Sequence, residues 1–207
     1  MSGILGVPEP IHRLTEAEYL ERERLAECKS EFFDGEVFAM SGGTPPHSQI
    51  AANAISELQQ KLKAGRCVVY TSDLRLKIEA TGLLTYPDFS VVCGPLQFAK
   101  GTDDTVVNPT LVGEVLSDSS EAYDRGKKFE NYRQMPSLLE YLLLSQKEAR
   151  IEQFSRQKDG SWLLRDVVGA QATLFLPALE VKVALSDIYA GVKFAPASIH
   201  PPTSTRT

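Results

Sequence analysis

Three classes of protein are disfavoured by what this chain has little of. Cysteine is scarce: among 207 residues only Cys28, Cys67 and Cys93 carry thiols, far apart and without a Cys-x-x-Cys pair. That argues against a zinc site. An odd, scattered set also fits no disulfide framework, so reduced thiols in a cytosol are expected. Long hydrophobic runs are missing, since nothing approaches the ~18 consecutive apolar residues of a spanning helix. The first ten residues lack the basic-then-apolar pattern of a signal peptide. A cytoplasmic protein with no membrane partner is the resulting expectation. Positive charge is short as well: 22 Lys and Arg against 27 Asp and Glu give a formal net charge of -5. This speaks against a strong nonspecific nucleic-acid binder and leaves room for a local basic patch.

What is present suffices for one packed domain, with 43% hydrophobic and 24% charged residues. Residues 1–13 read as a flexible N-terminus, 14–194 as the domain, and 195–207, rich in Pro, Ser and Thr, as a disordered tail. Thr15 and Glu18 have the spacing of a capping box, which predicts a helix from about Glu16 to Glu27. Asp34-Gly35 between two apolar runs predicts a tight hairpin, because that turn needs positive φ. After the breaker loop Ser41 to Pro46, Ile50, Ala54, Ile55, Leu58 and Leu62 form one apolar stripe of a helix over about 47–63.

Cys67 to Glu79 alternates as a half-wet strand. Tyr86 to Cys93 and Thr110 to Leu116 follow as strands, with a loop over 94–109 between them. A helix is predicted over 118–135, opened by an Asp118/Glu121 capping box and stopped by Pro136. Leu138 to Ser145 reads as a fully buried strand. Three weaker strands near 150–154, 162–166 and 172–176 and a short turn at 187–189 complete the chain. The order predicts an α/β (α+β) fold, a mixed sheet flanked by helices with a hairpin feeding a central strand.

Two acidic residues do not belong where they stand. Glu114 sits in the middle of the apolar strand Leu111 to Leu116, where an unpartnered carboxylate is very costly. It requires a cation, a metal or a raised pKa, and a buried salt bridge would satisfy the same demand. Asp88 follows Pro87, which removes a ladder donor, and precedes another apolar run; a turn cap is its simpler role. Taken together, two carboxylates at one level of neighbouring strands suit Mg²⁺, which accepts few carboxylates, several waters and phosphate oxygens. On the following helix Asp124, Lys128 and Tyr132 recur at i,i+4 and share a face, whereas Lys127 points elsewhere. Gly126 within that helix costs ~1 kcal/mol against Ala, which a close approach to the sheet or to a substrate would explain.

These residues resemble a known pattern. Pro87-Asp88 followed by Glu114 is similar to the PD-(D/E)XK nuclease signature. Glu114-Val115-Leu116-Ser117 with Tyr123-Asp124-Arg125-Gly126-Lys127-Lys128-Phe129 resembles a family of putative restriction endonucleases often called Uma-two. So do Asp34-Gly35-Glu36, Ser41-Gly42-Gly43 with His47, Thr71 to Arg75, and Leu139-Glu140-Tyr141. The resemblance runs from about Leu14 to Val192. It departs from the superfamily in the lysine, normally two residues after the second acid; that position is Leu116 here, and Lys128 is the matching residue.

The resemblance implies a restriction-endonuclease-like fold and a Mg²⁺ (or Mn²⁺)-dependent endonuclease acting on DNA as a homodimer. Asp88, Glu114 and the backbone carbonyl of Val115 would bind the metal, and Lys128 would complete the catalytic set. Glu36 and His47 are candidates for additional roles, and Arg125 and Lys127 for contacts to the nucleic-acid backbone. Two rival readings stay open: a non-catalytic nucleic-acid-binding or assembly module on the same fold, and a metal phosphodiesterase acting on RNA or a small substrate.

Overall fold

The first helix, α1 (Glu16–Leu25), starts where Thr15 and Glu18 cap each other, side chain to backbone in both directions. The computed structural model describes residues 13–40 and 42–194; the expectations for residues 1–12 and for the tail from 195 onward lie outside the described residues. Strands β1 (Ser30–Phe33) and β2 (Glu36–Ala39) pair antiparallel around Asp34 and Gly35, whose φ values of 48° and 81° are those the tight turn demands. Thr44 caps α2 (Pro45–Leu62), and prolines at its first two positions give up no intrahelical hydrogen bond. Its buried stripe is Ile50, Ala54, Leu58 and Leu62.

The expected strand over Cys67 to Glu79 is two strands. β3 (Cys67–Thr71) and β4 (Arg75–Ile78) are separated by a turn at Ser72-Asp73 and enter different sheets. Likewise β5 (Leu83–Thr85) and β6 (Phe89–Cys93) part at Tyr86-Pro87-Asp88, and the loop over 94–109 contains the short β7 (Thr105–Val106). Then come β8 (Leu111–Val115), the helical segment α3 (Glu121–Tyr123), a π-helical turn (Asp124–Lys128) and α4 (Phe129–Tyr132). The chain continues through β9 (Glu140–Leu144), β10 (Arg150–Arg156), β11 (Trp162–Val168), β12 (Thr173–Leu176), β13 (Val181–Ala184) and α5 (Leu185–Ile188). The Asp118/Glu121 capping box does not form: Ser120 is the N-cap, and Asp118 is exposed and paired with Lys147 at 3.0 Å.

The main sheet has the order β11-β10-β9-β8-β6-β3, mixed because β8 and β9 run parallel. A second sheet, β2-β1-β5-β4-β7, holds the hairpin, which therefore does not pair with the central strand. One face of the main sheet packs Val91, Leu111 and Leu142 with α2, β12–β13 and α5. The other packs Val92, Val112, Tyr141 and Leu143 with Leu76 and Leu83 of the second sheet and Tyr132 of α4.

The expectation of free thiols is corrected for two of the three cysteines. Cys67 and Cys93 are direct partners on β3 and β6 and are joined as a disulfide. The adjacent Arg66 carbonyl accepts from the Gly94 amide. The cysteines thus occupy the pair between ladder hydrogen bonds, where opposed side chains come closest. Cys28 is free and exposed. Among the described residues no helix is long and apolar enough to cross a membrane.

Candidate active site

Glu114 and Asp88 are brought to the same end of the same sheet. β6 pairs with β8 in the register Val91–Leu111, Ser90–Val112 and Phe89–Gly113. Asp88 is the residue just before β6, and Glu114 is the residue just after Gly113, the partner of Phe89, so the two acids stand close together there. The Val115 amide donates to Asp88 Oδ2 at 2.6 Å. The same Asp88 oxygen meets His47 Nε2 at 3.2 Å. Gly43 makes room for that imidazole, since a β-carbon there would come within 2.7 Å of His47 Nδ1.

Lys128 reaches Glu114 from the helix above. Its ammonium stands 2.9 Å from Glu114 Oε1, 3.0 Å from Glu31 Oε1 and 3.7 Å from Asp124 Oδ1, and all four side chains are almost wholly buried. The Tyr132 hydroxyl donates to the same Glu114 oxygen at 2.9 Å. Asp124 and Lys128 sit at the two ends of the π-helical turn, a local widening often found at functional sites. The Tyr141 hydroxyl donates to the Asp124 carbonyl at 3.0 Å inside it. Gly126 lies in this turn with open space beside it, so the expected close approach to the sheet is not its explanation.

The electrostatics are lopsided. Glu31, Asp88, Glu114 and Asp124 face one lysine and one histidine. Burial pushes the Glu114 carboxyl well above the ordinary carboxylate range, and the charges of Asp124 and Asp88 push the same way. Burial also raises Asp124, with Asp88 and Glu31 adding to it. Burial alone would disfavour the Lys128 charge, but Glu114, Glu31 and Asp124 hold it well above the ordinary lysine range. The hydrogen bond to Asp88 raises His47 above its ordinary 6.5. The cluster thus keeps its ammonium and binds protons tightly at Glu114 and Asp124, the condition in which added positive charge is welcome.

The remaining expected residues divide. Lys127 is exposed, with Glu130 at 3.8 Å. Arg125 is committed inside the protein, to Glu121 at 2.9 Å and to Glu152, which offsets its charge. Glu36 is not gathered into the site: it is an exposed residue next to the hairpin turn, 3.6 Å from Arg13. The hairpin's contribution is Glu31, which the sequence alone did not single out. Its signal was a carboxylate directly before the apolar pair Phe32-Phe33, and Ser30, Glu31 and Phe32 are all buried.

A mixed sheet with an acid at the start of one strand, another inside its antiparallel neighbour and a lysine from the succeeding helix is a restriction-endonuclease-like fold. A solved structure described as a putative nuclease, from Anabaena variabilis ATCC 29413, shares that fold. Its TM-score is 0.69 at 17% sequence identity, covering 85% of this chain and 97% of that one. The family model described as "Putative restriction endonuclease", Uma2, matches residues 16–186, and the chain belongs to that family. Two proteins of Synechocystis sp. (strain ATCC 27184 / PCC 6803 / Kazusa) are similar over most of their length. Protein slr1290 is 37% identical over 185 residues, 89% of this chain and 96% of the relative. Protein sll1609 is 36% identical over 161 residues, 78% and 91% respectively. Both are described as uncharacterized.

Proposed function

We propose that this chain is a divalent-metal-dependent nuclease that hydrolyses phosphodiester bonds of DNA at Asp88, Glu114 and Lys128. The observation that carries the reading is the buried Lys128–Glu114 contact at 2.9 Å, at the end of the sheet where Asp88 leads into β6. Family membership and the shared fold agree with it.

The residues fit a hard cation. The contacts described above converge on Oε1 of Glu114 and Oδ2 of Asp88, and Glu114 Oε2 and Asp88 Oδ1 take no part in them. Among the described residues no three His, Cys, Asp or Glu side chains form a ready metal cage. That suits Mg²⁺, which keeps most of its waters, better than a metal needing a full protein shell. Asp88, Glu114 and the Val115 carbonyl would hold the Mg²⁺ or Mn²⁺, whose chemistry there is to offset phosphoryl charge and acidify a bound water.

The chain's own residues supply the rest. Two of the three Lys128 N–H donors are held by Glu114 and Glu31, and Asp124 at 3.7 Å is beyond hydrogen-bond length for the third. That donor is available to orient the attacking water or a phosphate oxygen. Hydrolysis forms a bond from water oxygen to phosphorus and breaks the bond to the leaving sugar oxygen. His47, oriented by Asp88 and partly exposed, stands ready to exchange a proton with solvent. Lys127 faces solvent where a backbone phosphate could meet it. A homodimer would place two such sites on the two strands of a duplex.

The test is cleavage of supercoiled plasmid with and without Mg²⁺. Asp88→Ala and Glu114→Ala should each abolish it; undiminished cleavage by either overturns the assignment. Salt-sensitive DNA binding that persists in both variants without metal would favour a non-catalytic binding module instead.

A further inference from the structure

We infer that Glu31 is a positioning residue that fixes the direction of the Lys128 ammonium, so that the hairpin sheet controls the geometry of a site built on the other sheet. The inference rests on the function proposed above and deepens it. Glu31 stands on β1, in the second sheet, whereas Glu114 stands on β8 of the main sheet. Lys128 bridges them, 3.0 Å from one and 2.9 Å from the other.

The two glutamates are held differently, and the difference assigns their roles. Both oxygens of Glu31 are occupied by the protein. Oε1 accepts from the Thr85 hydroxyl and from Lys128, and Oε2 accepts from the Tyr123 hydroxyl at 3.2 Å. Among the described residues, Glu114 takes Lys128 and Tyr132 on Oε1 alone. Glu31 is thus locked by donors from β5 and α3 and is ill placed to give an oxygen to a cation, while Glu114 keeps one outside the network. An ammonium with two of its three tetrahedral donors fixed has its third direction set as well. Without Glu31, Lys128 keeps a single close carboxylate, and its flexible four-carbon stem can swing.

The experiment compares wild type with Glu31→Gln, which keeps the shape and removes the charge. The first readout needs no activity. Lys128 acylation by acetic anhydride is followed by mass spectrometry, with the partly buried Lys77, paired with Glu16 at 2.6 Å, as internal reference. Lys128 should label about tenfold faster in Glu31→Gln while Lys77 is unchanged. A parallel rise in both means general loosening and overturns the inference, as does no change in Lys128. The second readout is plasmid cleavage. The kcat should fall between about ten- and a hundredfold, the cost of a small misplacement, with an unchanged Mg²⁺ concentration for half-maximal rate. A raised Mg²⁺ requirement would make Glu31 a metal ligand and overturn the positioning role. If wild type cleaves nothing, the nuclease reading falls while the labelling result still decides what Glu31 does. If Glu31→Gln does not fold, Tyr123→Phe removes one of the donors that lock Glu31 and should raise Lys128 labelling in the same sense, by a smaller factor; no rise there overturns the inference.

Discussion

Phe89 and Gly113 face each other across β6 and β8, and the phenyl ring occupies the space a side chain at 113 would need. A β-carbon there would come within 2.0 Å of the Phe89 ring. Phe89 is wholly buried, so the ring cannot step aside. Glu114 is the next residue along, which makes this contact a gauge of the site as well as of the core. Gly113→Ala should therefore destabilise by about 1–3 kcal/mol, the usual range for overpacking, and should lower cleavage by displacing Glu114. Urea unfolding measures the first effect. A stability unchanged within error would mean the ring is free to move.

Lys128 offers a sharper stability test. Removing it strands the buried carboxylates of Glu114 and Glu31 without their cation, a change that costs about 3–5 kcal/mol when one partner of a buried pair is lost. Lys128→Met should show that loss. Adding Glu114→Gln removes one stranded charge and should restore a good part of it. The unfolding signal is at hand, because Trp162, the one tryptophan, packs edge-on against Phe129 beside Lys128. A double variant no more stable than Lys128→Met would contradict the charge argument.

The features legible in the sequence are those decided within a few residues. The Thr15–Glu18 cap, the Asp34-Gly35 turn and the α2 stripe are each fixed by local chemistry, and each formed. Glu114 and Asp88 stood out because a carboxylate in an apolar strand is anomalous wherever the strand lies. Features set by long-range register did not show. The polar run Thr71-Ser72-Asp73 breaks the alternation that Leu74, Leu76 and Ile78 carry, but nothing local reveals that β3 and β4 join different sheets. Glu31 and Glu36 sit on the two strands of one short hairpin, and which of them turns inward depends on how β1 meets β5 and the helical segments. Asp124 and Lys128 are four apart in an α-helix and in a π-turn alike, so the widening is silent in the sequence. Cys67 and Cys93 became neighbours only through the ladder.

That disulfide gives a prediction of its own. For a separation of 26 residues the chain-entropy model assigns the bridge about 3.5 kcal/mol. Denatured protein alkylated without reductant should be modified at Cys28 alone, and at all three cysteines after reduction. Cys67→Ser with Cys93→Ser should lower the urea midpoint, and reductant should do the same to wild type while leaving the double variant unmoved. Alkylation of three thiols without reductant would show the pair open in solution.

The contact between His47 and Asp88 links pH, stability and metal. In the metal-free protein the folded His47 pKa lies above 6.5 because its charged form donates to Asp88. A raised folded pKa means the folded state holds the proton more tightly. The contribution is then complete below about pH 6.5 and is lost as pH rises through the raised value. A hydrogen bond to a charged group contributes about 1.5–3 kcal/mol, so Asp88→Asn should cost stability at pH 6 and much less at pH 9. The imidazole titration, followed by proton NMR, should shift down in that variant. A divalent cation held by Asp88 adds positive charge beside the ring and must push the His47 pKa down too. By reciprocity, protonating His47 weakens the metal, so Mg²⁺ should stabilise the protein more at pH 8 than at pH 6. A His47 titration that ignores saturating Mg²⁺ would mean that the ion does not sit at Asp88.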